Sequence, residues 1–127
     1  MGPVNILADV REAQSGVPSL LEKLGARVGY RDLPVADYIV SPDCAVERKD
    51  VGDLANSIVS GRVFDQAKRL SDAYKVPVLI VEGDLEGLLR FHENPRAVWG
   101  ALASLSIGMR LHVFFTPNKL QTAQLIY

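Results

Sequence analysis

The sequence has few of the residues on which several classes of functional site depend. Its 127 residues include one cysteine, Cys44, and two histidines, His92 and His112. A lone cysteine excludes an internal disulfide and a cysteine-based zinc site. The two histidines are far apart and have no Cys or His partner at ligand spacing, so zinc is not expected. Disulfide scaffolds and zinc modules are therefore excluded.

Net charge and long apolar runs are also lacking. The 14 Lys and Arg residues balance 15 Asp and Glu residues, which gives a net charge of −1. Nucleic-acid-binding domains often show a basic excess, so the total charge does not indicate one, although a neutral protein can carry a local basic groove. No signal-peptide pattern begins at Met1, and apolar runs such as residues 76–81 are too short to span a bilayer. We therefore expect an intracellular protein without a membrane association, cytoplasmic or in the nucleoid of an archaeon and nuclear in a eukaryote.

The sequence does contain a regular alternation of strand and helix patterns. Strands are predicted at 4–9, 27–33, 76–82 and 111–115, with two more within 37–49 that are joined near Pro42. Helices are predicted at 18–24, 50–61, 64–74, 94–107 and 117–127. This alternation, with 48% apolar residues to form a core, predicts one α/β domain with helices on both faces of a mixed sheet. The antiparallel part of the sheet is expected from the pair of strands within 37–49.

Charged residues collect where one predicted strand ends and the next helix begins. Glu47, Arg48 and Lys49 end an apolar run, and Asp50 and Asp53 follow at once. Because alternate residues of a strand share a face, Glu47 and Lys49 point the same way and Arg48 points to the other side. Asp50 and Asp53 also have a structural use, as the N-cap of the helix and as an acid in its first turn.

Asp37 joins this cluster under one condition on the turn between the two strands. An odd turn centred on Pro42 places Asp37 opposite Glu47, whereas an even turn places it opposite Arg48. Opposed carboxylates repel one another unless a cation lies between them. Two carboxylates with a lysine beside them are typical of a Mg²⁺ site that activates a water molecule to attack a phosphodiester. Lys49 could position that water, act as its base, or balance negative charge in the transition state. The alternative is an ordinary solvated Glu-x-Lys pair.

Further charged residues are predicted at the same edge of the sheet. Asp9, Arg11 and Glu12 follow the first strand, as the cluster around Glu47 follows another. In open α/β sheets ligands bind at the ends of the strands. This convergence favours a functional site over a solvated surface.

The order Asp37, then Glu47-Arg48-Lys49, three residues and Asp53 resembles the nuclease signature of the XPF/Hef structure-specific endonucleases. The flanking segments agree with it, namely residues 9–12, 33–40, Gly61-Arg62 with Gln66, and 80–83. One departure is Ala36, where the family usually has glycine. The resemblance implies a three-layer α/β/α, restriction-endonuclease-like domain with a central mixed sheet over residues 1–127. The family's C-terminal helix-hairpin-helix modules are absent from this chain.

The resemblance also implies roles for the site residues. Asp37 and Glu47 would bind Mg²⁺, for which Mn²⁺ can substitute, with the carbonyl of Arg48 as a candidate third ligand. Lys49 would position or activate the attacking water. The catalytic electrostatics would be completed by Asp9, Glu12, Arg48 and Asp53. For the Arg48 side chain the alternative is a structural salt bridge to Asp53 or Asp9.

Three residues are expected to contact DNA: Arg11, Arg62 and Gln66. Arg62 and Gln66 lie one helical turn apart, so both could reach either DNA or the acidic cluster, or could form a surface hydrogen-bonded pair. The implied activity is Mg²⁺-dependent cleavage of duplex DNA near a junction with single strand, as in flaps, splayed arms and forks, during repair or recombination. The alternatives are a non-catalytic DNA-binding or scaffolding subunit and a generic restriction or junction-resolving nuclease. The presence of the acids and the lysine favours an active enzyme.

Two apolar helix faces raise the question of a second chain. The faces comprise Val98, Ala101, Leu102 and Leu105 in one helix and Leu120 and Ala123 in the last helix. Burial in the core is the alternative to an interface. The resemblance favours a homodimer that pairs through this C-terminal part, with a sliding clamp as a candidate partner of the full-length protein.

Overall fold

The structure is a computed structural model that describes residues 4–127. Met1, where no signal-peptide pattern begins, lies outside the described residues. The strands are β1 (Asn5–Asp9), β2 (Arg27–Arg31), β3 (Tyr38–Ile39), β4 (Cys44–Asp50), β5 (Val76–Glu82) and β6 (His112–Thr116). The helices are α1 (Val17–Lys23), α2 (Val51–Ser60), α3 (Arg62–Ala73), α4 (Leu85–Phe91), α5 (Pro95–Ala103) and α6 (Lys119–Ile126).

The six strands form one mixed sheet in the order β2-β1-β3-β4-β5-β6. The β1–β2, β4–β5 and β5–β6 pairs are parallel, and β3 is antiparallel to both of its neighbours. The strand pair predicted within 37–49 therefore supplies the antiparallel part of the sheet, as expected. Because β3 joins two parallel groups, the carboxyl ends of β1 and β4 lie at the same edge of the sheet.

Helices cover both faces of the sheet and produce two core layers. On one face, Leu54 of α2, Leu70 of α3 and Val98 of α5 pack with Leu79 of β5. On the other face α1 and α6 pack against the sheet, where Ile80 is 1% exposed. Consecutive residues of β5 thus enter opposite core layers, which explains why its sequence is apolar from Val76 to Val81. The predicted three-layer α/β/α arrangement is confirmed.

Two elements lack the apolar pattern on which the sequence prediction depended. A 3₁₀ helix at Val10–Ser15 and helix α4 contain no buried residue. Each begins at an aspartate, Asp9 or Asp84, whose side chain accepts a hydrogen bond from a backbone N–H of the first turn. The helix predicted over 94–107 is α5 followed by a π-helical turn at Ser104–Gly108.

The structure corrects the residues assigned to a dimer face. Five of the six are buried in the chain's own core, namely Val98 (0% exposed), Ala101 (6%), Leu102 (5%), Leu105 (0%) and Ala123 (0%). The sheet and its helices cover these side chains, so they are core residues and not part of an exposed interface. Leu120 is 46% exposed and stays accessible to a second chain. None of the helices between residues 4 and 127 has the length and apolarity that crossing a bilayer requires.

Candidate active site

The register of the β3–β4 pair places Asp37 beside Glu47. Tyr38 pairs with Val46 and Ile39 with Ala45, which centres the turn on Pro42 and puts Asp37 opposite Glu47. The odd turn is therefore the one that forms.

The backbone around Asp37 is held on both sides. Its carbonyl accepts a hydrogen bond from Asp9 N at 2.8 Å, and its N–H donates to the Val46 carbonyl at 2.9 Å. The preceding residue, Ala36, has φ 78° and is 7% exposed, a left-handed conformation that favours glycine. This conformation gives a physical reason for the glycine that the resembling family carries there, and alanine adopts it in this chain.

The acidic residues line a cavity of about 200 Å³ at the carboxyl ends of β1 and β4. Its walls are Asp9, Arg11, Leu33, Pro34, Val35, Ala36, Asp37, Glu47, Gln66 and Arg69. Five of these residues were predicted as site residues from the sequence. Behind the cavity, Lys49 lines a smaller space together with Glu47 and Gln66. The sheet edge therefore brings together Asp9, Arg11, Asp37, Glu47, Lys49 and Gln66.

Burial and mutual repulsion disfavour negative charge on the two central carboxyls. Burial is the largest effect that raises the pKa of Asp37, to about 7, and the charge of Glu47 is the second. A hydrogen bond from Arg48 N has the opposite effect and lowers this pKa. Burial also raises the pKa of Glu47, whereas the nearby Lys49 ammonium lowers it. The charges of Glu12 and Asp9 raise both pKa values further. The site thus concentrates negative charge in a place that favours a cation.

Asp9 has its own cationic partner and stays charged. The hydrogen bonds from the Arg11 guanidinium lower the pKa of this carboxyl against the opposing effect of burial, and the Leu33 N–H lowers it further. Arg11 Nε lies 2.7 Å from Asp9 Oδ2, and Arg11 Nη2 lies 2.9 Å from Asp32 Oδ1. The Arg11 side chain is nevertheless 65% exposed. Asp9 therefore anchors a solvent-facing guanidinium at the rim of the cavity.

Arg48 lies on the opposite face of the sheet, as strand alternation predicted. Its guanidinium contacts Glu82 Oε2 at 2.9 Å and Glu12 Oε2 at 3.3 Å. Glu82 also accepts a hydrogen bond from Thr122 of α6 at 2.6 Å, and Glu12 accepts one from the Tyr38 hydroxyl at 2.7 Å. The structural salt bridge considered for Arg48 does form, but its partners are Glu82 and Glu12, not Asp53 or Asp9.

Besides Glu12 and Arg48, which pair with each other, two further predicted site residues lie outside the cavity. Asp53 is exposed in the first turn of α2, where its N–H donates to the capping carboxylate of Asp50 at 2.9 Å. Arg62 is exposed, and its Nη1 lies 3.4 Å from Ser60 Oγ. Within residues 4–127, no hydrogen bond joins Arg62 to Gln66, so the surface pair considered from the sequence does not form.

Sequence reasoning missed three residues of the site and its support. Arg69 lines the main cavity, and its spacing of three residues from Gln66 places it on the same helix face, a signal that was present in the sequence. Glu82 and Tyr38 support Arg48 and Glu12 from distant positions of the chain. No local pattern in the sequence could have indicated those two contacts.

The residues present fit a hard divalent cation. Among the described residues no three His, Cys, Asp or Glu side chains form a metal-binding cluster, so the candidate ligands are two carboxylates and the Arg48 carbonyl. Mg²⁺ is commonly held by one or two carboxylates while it keeps several waters. Burial, and after it the charge of Glu47, raise the pKa of Asp37 to about 7, so a bound cation would favour the ionised form of this carboxyl.

The sequence is similar to a known domain family and to named DNA repair proteins. Residues 8–127 match the ERCC4 domain. The 3′-flap repair endonuclease Xpf of Saccharolobus solfataricus is 45% identical over 123 residues, which is 97% of this chain and 53% of that protein. The DNA repair endonuclease XPF of Mus musculus is 42% identical over 80 residues, 63% of this chain and 9% of that protein. The chain thus spans about half the length of the first relative and much less of the second.

Solved structures agree with the sequence comparison. XPF from Aeropyrum pernix matches with a TM-score of 0.91 and 38% identity, over 96% of this chain and 57% of that one. The same protein in complex with DNA matches with a TM-score of 0.89 and 38% identity, over 96% and 60%. By sequence and by fold, the chain belongs to the XPF family of ERCC4-domain proteins.

Proposed function

We propose that this chain is the nuclease domain of a structure-specific DNA repair endonuclease that cuts duplex DNA near a junction with single strand. The substrates are flaps, splayed arms or forks. The observation that carries the proposal is the pairing of Asp37 with Glu47, with Lys49 two residues further on the same face of β4. The names of the relatives, a 3′-flap repair endonuclease and an XPF structure in complex with DNA, support it.

The residues divide the hydrolysis between them. Asp37, Glu47 and the Arg48 carbonyl would hold Mg²⁺, or Mn²⁺ in its place. When bound, the ion supplies charge stabilisation at the phosphoryl oxygens and makes a water molecule more acidic. Lys49 holds the attacking water against the phosphodiester and offsets negative charge in the transition state. The negative charges of Asp9 and Glu12 strengthen the preference of the site for a cation.

DNA contact is assigned to the arginines around the cavity. Arg11, Arg62 and Arg69 carry guanidinium groups that are exposed or face the cavity. Each can neutralise a phosphate, which is the sequence-independent part of DNA affinity. With a net charge of −1, the domain neutralises few phosphates, so we expect weak binding by residues 1–127 alone. Such a role on DNA locates the protein in the nucleoid or the nucleus.

The non-catalytic alternative is less well supported. A decayed nuclease site would have lost its acids and its lysine, whereas Asp37, Glu47 and Lys49 are all present and share one face of the sheet. The ERCC4-domain match over residues 8–127 favours an XPF-type enzyme over a generic restriction or junction-resolving nuclease. A sliding-clamp partner stays a prediction.

The decisive experiment is cleavage of a flap substrate by a Glu47→Gln variant. The neutral amide keeps the shape of the side chain but removes a ligand charge, so we expect the Mg²⁺-dependent rate to fall by roughly 10³-fold. Glu86→Gln is the matched control, because Glu86 is exposed on α4 and pairs only with Arg90. Cleavage by Glu47→Gln at a rate close to that of Glu86→Gln would contradict the proposal.

Removal of the metal distinguishes a catalytic ion from a structural one. We expect EDTA to stop cleavage while the melting midpoint stays within about a degree, because a structural ion would carry folding free energy and a catalytic ion need not. A melting midpoint that fell by many degrees on chelation would assign the ion to structure instead.

A further inference from the structure

The amide of Gln66 is the polar group that the site described above leaves unexplained. Its Oε1 is shielded from solvent and has no hydrogen-bond partner, alone among the buried side-chain nitrogen and oxygen atoms of the described residues. A buried amide oxygen without a donor is costly, and such groups in native proteins usually have a functional reason.

Helix α3 holds this amide at the junction of the two cavities. Val63, Ala67 and Leu70 are no more than 5% exposed and fix one side of α3 in the core. Gln66 projects between them and the sheet edge, where it lines both the main cavity and the small space behind it. Glu47 is the other residue that lines both. The unpartnered oxygen therefore lies beside a proposed metal ligand.

A buried cation at the same place lacks an acceptor. Lys49 is 8% exposed and has no hydrogen bond or ion pair with any residue between 4 and 127. It lines the small space together with Glu47 and Gln66. A lysine ammonium has three donors and no acceptor, and an amide oxygen only accepts. The two groups are therefore chemically complementary, since one needs a donor and the other needs an acceptor.

We infer that Gln66 is a positioning residue whose Oε1 accepts a hydrogen bond from one water that in turn accepts a hydrogen bond from the Lys49 ammonium, and that it so aims Lys49 at the attacking water. This inference rests on the proposed function. It replaces a DNA contact through the Gln66 Oε1 atom, because phosphate oxygens are acceptors and offer nothing to an amide oxygen. Arg62, one turn earlier on α3, is exposed and keeps that role.

Two substitutions at Gln66 and one control test the role in catalysis. Gln66→Met removes the acceptor with little change in shape, Gln66→Glu keeps an acceptor oxygen, and Gln14→Met makes the same change at an exposed glutamine. Single-turnover cleavage of a flap substrate is measured at saturating DNA and Mg²⁺, and DNA affinity is measured in Ca²⁺. We expect Gln66→Met to lower the rate about 10- to 100-fold, as loss of a supporting hydrogen bond does, with the DNA Kd within about twofold of wild type. Gln66→Glu recovers most of the rate, and Gln14→Met changes neither quantity.

The same variants identify the partner through thermal melting without metal or DNA. Gln66→Met leaves the buried ammonium without an acceptor, so we expect its melting midpoint to fall by a few degrees. In a Lys49→Met background, the same change has no further effect if Gln66 acts through Lys49.

The outcomes separate this inference from the proposed function. Three outcomes would overturn the assignment while leaving the nuclease proposal intact. The first is a wild-type cleavage rate for Gln66→Met, and the second is a weaker DNA affinity with an unchanged rate at saturation. The third is an equal fall in the melting midpoint in the wild-type and Lys49→Met backgrounds. A wild-type protein that does not cleave would instead defeat the proposed function, and the melting comparison would still decide whether Gln66 and Lys49 are partners.

Discussion

At the scale of single residues, the site is defined by charges that the fold alone does not neutralise. Asp37 is hydrogen-bonded to Arg48 N at 2.8 Å, yet its pKa lies at about 7 because burial and Glu47 outweigh that bond. The metal-free protein therefore carries an ionised carboxyl at high pH at a cost in stability. A bound cation would remove that cost, as would protonation.

The cost should be visible in the pH dependence of stability. The folded-state pKa of Asp37 is raised above its ordinary value of 3.8, so this group lowers the stability of the metal-free protein as pH rises from about 4 through about 7. Asp37→Asn cannot ionise and should be more stable than wild type by about 2 kcal/mol at pH 8, with the advantage lost near pH 4. Urea unfolding in EDTA at both pH values measures this difference. A variant less stable than wild type at pH 8 would show that the carboxylate stabilises the fold.

The central residues of the site could be predicted from the sequence because they obey local rules. Strand alternation placed Glu47 and Lys49 together and Arg48 opposite, and the turn around Pro42 brought Asp37 to Glu47. The contact of Arg48 with Glu82 spans 34 positions and depends on the β4–β5 register, which no local pattern determines. Tertiary contacts of this kind are what the sequence could not supply.

At the scale of elements, β4 serves two faces at once. One face presents Glu47 and Lys49 to the cavity beside α3, and the other presents Arg48 to an ionic network that reaches Thr122 of α6. The side chains of Arg48 and Glu82 are 19% and 11% exposed, so each depends on the other for its counter-charge. The face that carries the proposed site is thus supported from the reverse side of the same strand.

Breaking the network should therefore destabilise the domain. Arg48→Met leaves the Glu82 carboxylate buried without its cation, and we expect the free energy of unfolding to fall by about 3 kcal/mol. Arg90→Met is the control, since the Arg90–Glu86 pair is exposed on α4 and should cost less than about 0.5 kcal/mol. Adding Glu82→Gln to Arg48→Met should restore part of the loss. Equal effects of the two arginine changes in urea unfolding would contradict a structural role for Arg48.

The elements that the sequence predicted are those with a clear apolar side. Buried residues are contributed to a core layer by each of helices α2, α3 and α5 and by strand β5. Their apolar patterns could therefore be recognised in the sequence. Helix α4 and the 3₁₀ helix contribute none, and only their caps mark them. Among these helices, burial and not helical propensity decided which could be found, whereas strand β2 was predicted although none of its residues is buried.

At the scale of the whole molecule, exposed apolar side chains concentrate near the C-terminus. Phe115 of β6 and Leu125 of α6 are 47% and 43% exposed and line one groove of about 380 Å³. Leu120 and Tyr127 are 46% and 49% exposed, and β6 is an edge strand of the sheet. We propose that a two-fold homodimer covers this surface, with both cavities outside the interface. This surface replaces, as the expected dimer interface, the residues that the sequence had assigned to it and that lie in the core.

The dimer is tested by sedimentation at micromolar concentration. We expect the wild-type chain to sediment as a dimer and Leu125→Glu to sediment as a monomer, because a charge in an apolar contact must be desolvated. Val59→Glu is the control, since Val59 is 80% exposed on α2, on the other face of the sheet. A wild-type monomer, or a Leu125→Glu protein that stays dimeric, would assign this surface to another use.

The interior position of β4 also has a consequence for motion. The strand is hydrogen-bonded to β3 on one edge and to β5 along its whole length on the other, so its amides should exchange hydrogen only when the entire domain opens. Helix α4, which has no buried residue, should exchange through local opening long before that. We therefore expect two of the proposed reacting groups, Glu47 and Lys49, to lie on slowly exchanging backbone. Their spacing along the strand would then persist for as long as the chain stays folded, and the nucleic acid would have to adjust to bring a phosphodiester into line.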